Sequence, residues 1–306
     1  MSVIYGLENV PLQATGRAVA VGVFDGVHWG HKAIFQKLIS EAEQLGIEPL
    51  ALTFEKHPSE LLAPNRAPRY INTLAQRVEL IQATGVRTVV VADFGPALAN
   101  QPRRDFISSV LKERLQARRI VVGANFRFGK DREGDIRYLG EVGPSYGMTA
   151  VVVPAVIVND GPVSSTRIRA LIEKGDVEAA SKLLGRRFAL RGEVVVGRQI
   201  GRTMGFPTAN IQSEPRQLIP ARGVYAVEVT LEKTTYHGVC NIGTRPTFDG
   251  RTVTVEVHIA GFEGMIYGER VDVVFCRRLR DEMAFESPES LAAQIGRDID
   301  RARQGC

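Results

Sequence analysis

Hydrophobic residues follow two different patterns along the chain, and the change lies near residue 185. In the first half, short runs rich in β-branched residues alternate with segments whose apolar positions have helical spacing. The runs are 18–23, 49–54, 88–92, 120–123 and 149–155. Near-continuous apolar strands separated by amphipathic helices predict a doubly wound, Rossmann-like parallel sheet with helices on both faces. Ligands of such sheets bind at the carboxyl ends of the strands.

Helical spacing is clearest between the first two runs. Apolar residues recur there and stop at a glycine, which predicts a helix with Gly46 as its C-cap. The apolar positions are Ile34, Leu38, Ala42 and Leu45. Residues 172–185 are also predicted to be helical and to join the two halves.

The second half contains closely spaced strands separated by turn residues. They are predicted at 190–196, 224–231, 237–242, 253–259 and 271–276. This spacing predicts a small antiparallel barrel or sandwich. A terminal helix follows, with Ser287 as N-cap, Pro288 in its first turn and a buried stripe of Leu291, Ile295 and Ile299. The chain is therefore predicted to have two domains, 1–184 and 185–306.

The composition is that of a globular protein, with 44% hydrophobic and 24% charged residues. The longest uncharged apolar stretch covers nine residues, 150–158, which is too short to cross a membrane. No secretory signal is visible at the N-terminus. The three cysteines, Cys240, Cys276 and Cys306, are far apart and odd in number. They argue against a disulfide framework or a structural zinc site, and they favour a reducing cytoplasm.

The charge balance favours small anionic ligands at least as much as nucleic acid. The chain has 39 basic and 34 acidic residues, a net charge of +5. The excess is thin and is spread over both halves. Clustered basic residues with stacking aromatics, which a nucleic-acid-binding barrel would need, are not evident. We therefore expect no nucleic-acid partner.

The segment 22–31 directly follows the first predicted strand and opens the first helix. A helix N-terminus favours phosphate, and Gly26 and Gly30 let the backbone approach a ligand closely. His28 and His31, three residues apart, can both donate to phosphate oxygens where a leaving pyrophosphate develops charge. A metal pair or a surface loop is the alternative, but a third ligand at matching spacing is missing from the sequence.

The His-x-Gly-His motif in this position resembles the nucleotidyltransferase superfamily. A second element of that superfamily, a hydroxyl-rich and basic segment after the last strand, corresponds to residues 163–169. Its hydroxyls can bind phosphate, and its arginines can neutralise phosphate charge. Plain N-capping of the next helix by Ser164 or Ser165 is also expected and does not exclude that role.

Two further segments, 53–58 and 123–129, follow predicted strands where a doubly wound sheet places ligand contacts. Phe54, Phe126 and Phe128 can line a flat aromatic pocket, although some of them are expected in the core. Together these motifs resemble the adenylyltransferase module of the bacterial bifunctional riboflavin kinase/FAD synthetase family. Many members carry an arginine just before the Ser-Ser-Thr element, where this chain has Pro162 and Val163.

A second candidate site lies in the other half. Residues 197–210 contain three spaced glycines and end in Pro207-Thr208-Ala209-Asn210. Glycine-rich loops are weak evidence for phosphate binding, and this tetrapeptide alone is compatible with any turn. Thr208 and Asn210 nevertheless offer hard oxygen ligands that suit Mg²⁺ with ATP.

Residues 253–259 alternate strictly, so the valines and Ile259 are predicted to face the core. Thr254, Glu256 and His258 then lie on the opposite face. A carboxylate there can take a proton from an attacking hydroxyl, as phosphoryl transfer requires. A solvated row on an exposed face is the alternative, and His258 is expected to be structural.

Residues 222–225, 241–248 and 279–285 complete a close resemblance to the riboflavin kinase domain, a six-stranded antiparallel barrel. The combined resemblance implies phosphorylation of riboflavin to FMN, then adenylylation of FMN to FAD with release of pyrophosphate. It implies riboflavin, FMN and ATP as partners and Mg²⁺ as cofactor, and it leaves the oligomeric state open. The rivals are a nucleotidyltransferase for another phosphorylated molecule and a nucleic-acid-binding protein.

The resemblance also implies roles for individual residues. Glu256, His28 and His31 are the expected catalytic residues. The adenylyltransferase ATP site is expected at Gly22, Phe24, Asp25, Gly26, His28, His31, Ser165 and Arg169. Flavin contacts are expected from Phe54, Asn125, Arg127, Arg280 and Phe285. The kinase ATP site is expected at Gly201, Gly205, Pro207, Thr208 and Asn210, with Thr208 and Asn210 as metal ligands.

Overall fold

A computed structural model of the chain describes residues 1–197, 205–231, 234–247 and 250–306. The chain separates into two compact units. One comprises Met1–Pro68 and Leu74–Ser164, and the other comprises Arg69–Thr73 and Ser165–Cys306. The domain boundary at residue 184 stays a prediction.

The first unit is built on a parallel sheet with the strand order β1-β4-β3-β2-β5-β8. Its strands are β1 (Ser2–Tyr5), β2 (Arg17–Val21), β3 (Glu48–Phe54), β4 (Thr88–Ala92), β5 (Ala117–Gly123), β6 (Arg127–Phe128), β7 (Gly134–Asp135), β8 (Thr149–Val153), β9 (Ile157–Val158) and β10 (Gly161–Pro162). Its helices are α1 (Trp29–Leu45), α2 (Pro58–Leu62), α3 (Leu74–Gln82), α4 (Pro96–Ala99), α5 (Arg103–Asp105), a π-type segment (Phe106–Arg114) and α6 (Ile136–Val142). Short 3-10 turns lie at Leu7–Asn9, Pro64–Arg66, Lys130–Arg132 and Gly143–Tyr146.

Both faces of this sheet are buried, as the continuous apolar runs predict. Along β2, Val19 and Val21 pack into one core cluster, while Ala18 and Ala20 pack into the other. Five of the six strands were predicted. The exception, β1, was missed because it is a short edge strand with mostly exposed residues, which leave no hydrophobic run to read.

Helix α1 ends as predicted. Gly46 adopts the left-handed conformation with φ 61°, and its N–H donates to the carbonyl oxygens of Ala42 and Glu43. Leu38 and Ala42 are buried. Leu45, the last apolar position of the predicted pattern, is 38% exposed, and Phe35 fills the core instead.

The second unit contains a closed antiparallel barrel with the strand order β11-β12-β15-β14-β13-β16. Its elements are α7 (Ser165–Glu173), α8 (Val177–Leu184), β11 (Phe188–Val195), β12 (Ala209–Ser213), β13 (Gly223–Leu231), β14 (Thr234–Thr247), β15 (Gly250–Ile259), β16 (Arg270–Arg280) and α9 (Pro288–Gly305). The predicted fold class is therefore confirmed. Strand β12 was not predicted because Ile211 is its single buried residue and polar residues surround it.

The alternation of β15 is confirmed for three of its four apolar positions. Val255, Val257 and Ile259 are buried, but Val253 is 43% exposed. At the Val253 end, the strand extends past the barrel core. The alternation of apolar and polar residues therefore continues beyond the residues that the core covers.

Helix α9 begins at the predicted N-cap, where the Ser287 hydroxyl accepts a hydrogen bond from the Ser290 N–H. It packs on the barrel chiefly through Ile299 and Ala302, while the predicted stripe residues Leu291 and Ile295 are only partly buried.

The cysteine pattern argued against a disulfide framework, yet the structure contains one disulfide. Cys276 on β16 and Cys306 after α9 are disulfide-bonded, with their Cα atoms 5.4 Å apart. An odd number of cysteines excludes complete pairing but leaves room for one bond and one thiol. That thiol is Cys240, which is fully buried.

In the described part of the chain, no helix is both long and apolar enough to cross a membrane.

A buried arginine ties together the amino ends of the parallel strands. Arg17 on β2 is 1% exposed, and its Nε donates to Glu48 Oε2 on β3 at 2.9 Å. Its Nη2 donates to the carbonyl oxygen of Pro11 at 2.7 Å. Thr88 on β4 donates its hydroxyl to Glu48 Oε1. Burial acts to raise the pKa of the Glu48 carboxyl, but the bonds from Thr88 and Arg17 outweigh it and hold that pKa below its ordinary value.

Replacing Glu48 with glutamine should flatten the acid dependence of stability. A carboxyl with a lowered folded pKa stabilises the fold above its unfolded pKa of about 4.3, and this contribution is lost as the pH falls through the folded pKa. Urea unfolding at about pH 7 and about pH 3 should therefore show a smaller loss of unfolding free energy for Glu48→Gln than for the wild type. The exposed Glu43→Gln should behave as the wild type. Equal losses in all three proteins would contradict the assignment.

Candidate functional site

The loop between β2 and α1, residues 22–28, holds an unusual backbone at the carboxyl edge of the sheet. Phe24, Gly26 and Val27 have φ values of 54°, 88° and 38°. Positive φ suits glycine but costs other residues about 1–3 kcal/mol, and Val27 is β-branched as well. The Val27 N–H donates to the carbonyl oxygen of Phe24 at 3.1 Å, and both side chains are buried. Core packing thus holds the loop in a conformation that its residues do not prefer.

The structure brings His28 and His31 together. Their rings stack with centroids 3.6 Å apart and planes 18° apart, and Phe24 meets His31 edge-on at 5.3 Å. His28 is 5% exposed and stands at the N-cap position of α1. Both imidazoles therefore lie at the positive end of a 17-residue helix.

Gly30 closely approaches the His28 ring, so an added side-chain carbon there would press on it. A Cβ at Gly30 would lie 3.1 Å from Cε1 and 3.2 Å from Nδ1 of the His28 ring. Gly22 is similarly constrained, since its Cβ would lie 2.9 Å from the Phe24 ring. Asp25, another predicted ATP-site residue, is 2% exposed within the same loop.

Sequence reasoning missed Arg77, which positions this loop. Arg77 on α3 is 1% exposed, and its guanidinium donates to the carbonyl oxygens of Val23 at 3.1 Å and Phe54 at 2.5 Å. A longer bond of 3.3 Å reaches the carbonyl oxygen of Glu55. One side chain thus satisfies carbonyls at the ends of two strands. A charged residue inside the apolar stripe of α3 was the available signal.

The segment after β5 presents a polar surface beside aromatic residues. Asn125 is exposed, and Arg127 pairs with Asp135 at 3.1 Å. Phe126 and Phe128 stack with centroids 5.4 Å apart, and Phe128 is buried. Phe54, expected to contact flavin, is only 7% exposed and belongs to the core cluster.

Ser165 and Arg169 lie on α7, which belongs to the second unit. Ser165 is the first residue of the helix. One turn later, Arg169 Nε donates to the carbonyl oxygen of Arg69 at 2.8 Å.

In the barrel, three polar residues form a row across neighbouring strands. Glu256 on β15 is directly opposite Asn210 on β12 and Asn241 on β14. Directly opposite residues share one face of a sheet. The neighbouring pair, Cys240 and Val257, is fully buried in the barrel. The row therefore lies on the face away from the core, as the alternation predicted.

The carboxylate of Glu256 acts electrostatically on the barrel interior. Burial raises the pKa of the Cys240 thiol, and the Glu256 carboxylate raises it further. Cys240 is therefore a neutral thiol under ordinary conditions.

The polypeptide around Pro207 is held against this row. His258 Nδ1 is 2.9 Å from the carbonyl oxygen of Pro207, and Phe206 meets the His258 ring edge-on at 5.6 Å. These contacts support a structural role for His258. Gly197 closely approaches the Asn210 amide, since a Cβ there would lie 2.0 Å from Nδ2.

Thr208 directly precedes β12, and Gly205 has φ 81°. The predicted ATP-site residue Gly201 lies outside the described residues, as does Phe248.

Arg280, at the end of β16, is held by α9. Its Nε and Nη2 donate to Asp298 Oδ2 at 3.0 and 2.8 Å, and Asp298 is 1% exposed. Gln294 Nε2 donates to Asp298 Oδ1 at 2.9 Å. The Arg280 guanidinium lies 5.8 Å from the centroid of Phe285. The structure thus joins the two residues expected at the flavin site of the barrel, and it adds Asp298, which the sequence did not single out.

Comparison with known proteins assigns a family to each half. The FAD synthetase family matches residues 11–167, and the riboflavin kinase family matches residues 184–306. The chain is 37% identical over 306 residues to a bifunctional riboflavin kinase/FMN adenylyltransferase from Escherichia coli, covering 99% of this chain and 97% of the relative. The corresponding protein of Haemophilus influenzae is 35% identical over 304 residues, covering 99% and 98%.

A solved structure from Streptococcus pneumoniae, described as a macrolide-efflux protein, has the same architecture. It superposes with a TM-score of 0.88 at 32% identity and covers 98% of each chain. The two family matches cover successive halves of the chain, and both relatives match over nearly their full length and share one description. The chain belongs to the bifunctional riboflavin kinase/FMN adenylyltransferase family.

Proposed function

We propose that this chain converts riboflavin and ATP to FMN and ADP in its barrel, and then FMN and a second ATP to FAD and pyrophosphate in its first half. The observation that carries the proposal is the row Asn210–Glu256–Asn241, which places a carboxylate between two amides on one face of the barrel. This arrangement lies inside the segment that matches riboflavin kinase.

In the kinase reaction, Glu256 takes the proton of the ribityl 5′-hydroxyl as its oxygen attacks the γ-phosphorus of ATP. The bond from that phosphorus to the ADP oxygen breaks, and ADP leaves. The backbone of Glu256 is paired with a strand on each side, and this pairing holds the residue in a fixed position for the proton transfer. Arg280 and Phe285 contact the flavin in this proposal.

The donor set near Glu256 fits Mg²⁺, since hydroxyl and amide oxygens are hard ligands. Thr208 and Asn210 would hold the ion together with ATP. When bound, Mg²⁺ neutralises charge on the phosphates. The predicted Mg²⁺ dependence and the cytoplasmic location both stay predictions.

In the adenylyl transfer, a phosphate oxygen of FMN attacks the α-phosphorus of ATP, and the bond to pyrophosphate breaks. The nucleophile comes from the substrate, so the protein contributes positioning and charge stabilisation. His28 and His31 donate to the departing pyrophosphate at the N-terminus of α1, within the loop formed by Gly22, Phe24, Asp25 and Gly26. Asn125 and Arg127 contact the flavin in this proposal, and the phosphate contacts of Ser165 and Arg169 stay those that the sequence resemblance implies.

Two variants should separate the activities. His28→Ala should lower FAD formation from FMN by about 10²–10³-fold, because donors to developing charge have effects of that size. Glu256→Gln should lower FMN formation from riboflavin by about 10²–10⁴-fold, since it removes a general base without changing side-chain shape. Chromatography of the fluorescent flavins measures both products. Equal loss of both reactions in both variants would contradict a two-site enzyme.

Gly30→Ala should selectively impair adenylyl transfer. The added methyl group would press on the His28 ring at about 3.1 Å and displace it. We expect a fall of about tenfold or more in kcat for FAD formation, with riboflavin phosphorylation unchanged. Gly140→Ala is the matched control, since Gly140 lies in helix α6 with open space around it. A Gly30→Ala enzyme with wild-type kcat would show that the position of His28 does not matter.

Asp298→Asn should weaken riboflavin binding through Arg280. Losing a charge-assisted bond of about 1.5–3 kcal/mol leaves the guanidinium free to leave Phe285. The KM for riboflavin should rise about tenfold or more, while adenylyl transfer from FMN stays constant. Asp298→Glu should recover part of the loss, and the exposed Asp300→Asn should have no effect. An unchanged KM in Asp298→Asn would remove Arg280 from the flavin site.

A further inference from the structure

A potential metal-ligand cluster lies on the barrel at the end of α9. Glu228 on β13 and His237 on β14 are directly opposite each other, and Cys306 follows α9. One ligand atom from each of the three residues lies within 4.8 Å of the other two. The three positions are too far apart in the chain to form a recognisable metal motif, so the fold alone reveals them.

His237 provides a second, independent observation that points to a bound group at this cluster. Its Nδ1 is buried and has no hydrogen-bond partner among the described residues. Buried polar atoms nearly always have a partner, so an exception points to a bound water or ion. The atom belongs to the side chain that the fold places beside a carboxylate and a sulfur.

Arg187 organises the cluster. Its Nη1 donates to Glu228 Oε2 at 2.8 Å, and its Nη2 donates to the backbone oxygen of Cys306 at 2.8 Å. The guanidinium thereby holds β13 beside the residue after α9. Glu228 retains a second carboxylate oxygen that can bind an ion.

The oxidation state of Cys306 decides whether the cluster can bind a metal. In the structure, Cys306 is bonded to Cys276, and a disulfide sulfur is not a thiolate ligand. A dithiol reductant supplies two electrons and two protons, so the S–S bond breaks to two thiols while the reductant becomes a disulfide. Cys306 then releases its proton when its sulfur binds the metal.

We propose that Glu228, His237 and reduced Cys306 bind one Zn²⁺, which replaces the Cys276–Cys306 disulfide as the link between α9 and the barrel. Nitrogen, sulfur and oxygen ligands together suit Zn²⁺, and water completes a tetrahedral site. Bonds of about 2.0–2.3 Å place tetrahedral ligand atoms about 3.5 Å apart, so the three atoms need to close by only about 1 Å. The carboxylate and thiolate together balance the charge of the ion.

The proposal is tested by titrating the protein with zinc in competition with a chromogenic chelator. The titration contains no ATP, and excess Mg²⁺ occupies oxygen-rich sites. Reduced wild-type protein should bind one Zn²⁺, and the oxidised protein should bind none. Cys276→Ser leaves Cys306 as a thiol, so this variant should bind one Zn²⁺ even without reductant. Cys306→Ser should bind no Zn²⁺, with or without reductant. Reduced His237→Ala should bind Zn²⁺ at least tenfold more weakly than Cys276→Ser.

The two serine variants form a matched pair, since each removes the disulfide and each retains the buried Cys240. Zinc should raise the melting temperature of Cys276→Ser and leave that of Cys306→Ser unchanged. Substituting Co²⁺ for Zn²⁺ should give a thiolate charge-transfer band in Cys276→Ser alone. The proposal is overturned if the two folded variants bind zinc equally, or if neither binds it.

Discussion

Carbonyl groups at the ends of buried strands need hydrogen-bond partners, and in the first unit one guanidinium meets that need for two strands. Arg77 bonds to the carbonyl oxygens of Val23, just after β2, and of Phe54, the last residue of β3. Thr53 adds a hydroxyl bond to the same Val23 oxygen at 3.0 Å. The loop that carries His28 is thereby attached to the neighbouring strand and to α3. This attachment adds to the packing of Phe24 and Val27 that holds the loop at positive φ.

The barrel positions its candidate residues by a different means. Glu256 is placed by strand register, because ladder bonds on both sides of β15 determine which residues are neighbours. A register shift of one residue would turn Glu256 into the core and bring Val257 out. The first site thus depends on a strained loop held by a few side chains, whereas the second depends on the regular geometry of a sheet.

This difference explains what the sequence could predict. His28 and His31 are neighbours in the chain, and Glu256 lies in a strict alternation, so local patterns found them. Asp298 and the Cys276–Cys306 bond could not be found in this way, because each depends on a partner elsewhere in the chain. Arg77 gives a local signal as a charged residue in an apolar stripe, but that signal does not show which groups it bonds to. Strands with strong hydrophobic runs were predicted, whereas β1 and β12 were missed because packing and pairing, rather than composition, make them strands.

The strained loop also bears on the order in which the molecule folds. In the folded chain, residues 22–28 are held by the pairing of β3 with β2 and by Arg77 of α3, which lies about fifty residues further along the chain. The stacked histidine pair therefore depends on contacts between segments that are far apart in the sequence. A chain in which β2, β3 and α3 have not come together would contain every residue of this candidate site and still lack its arrangement.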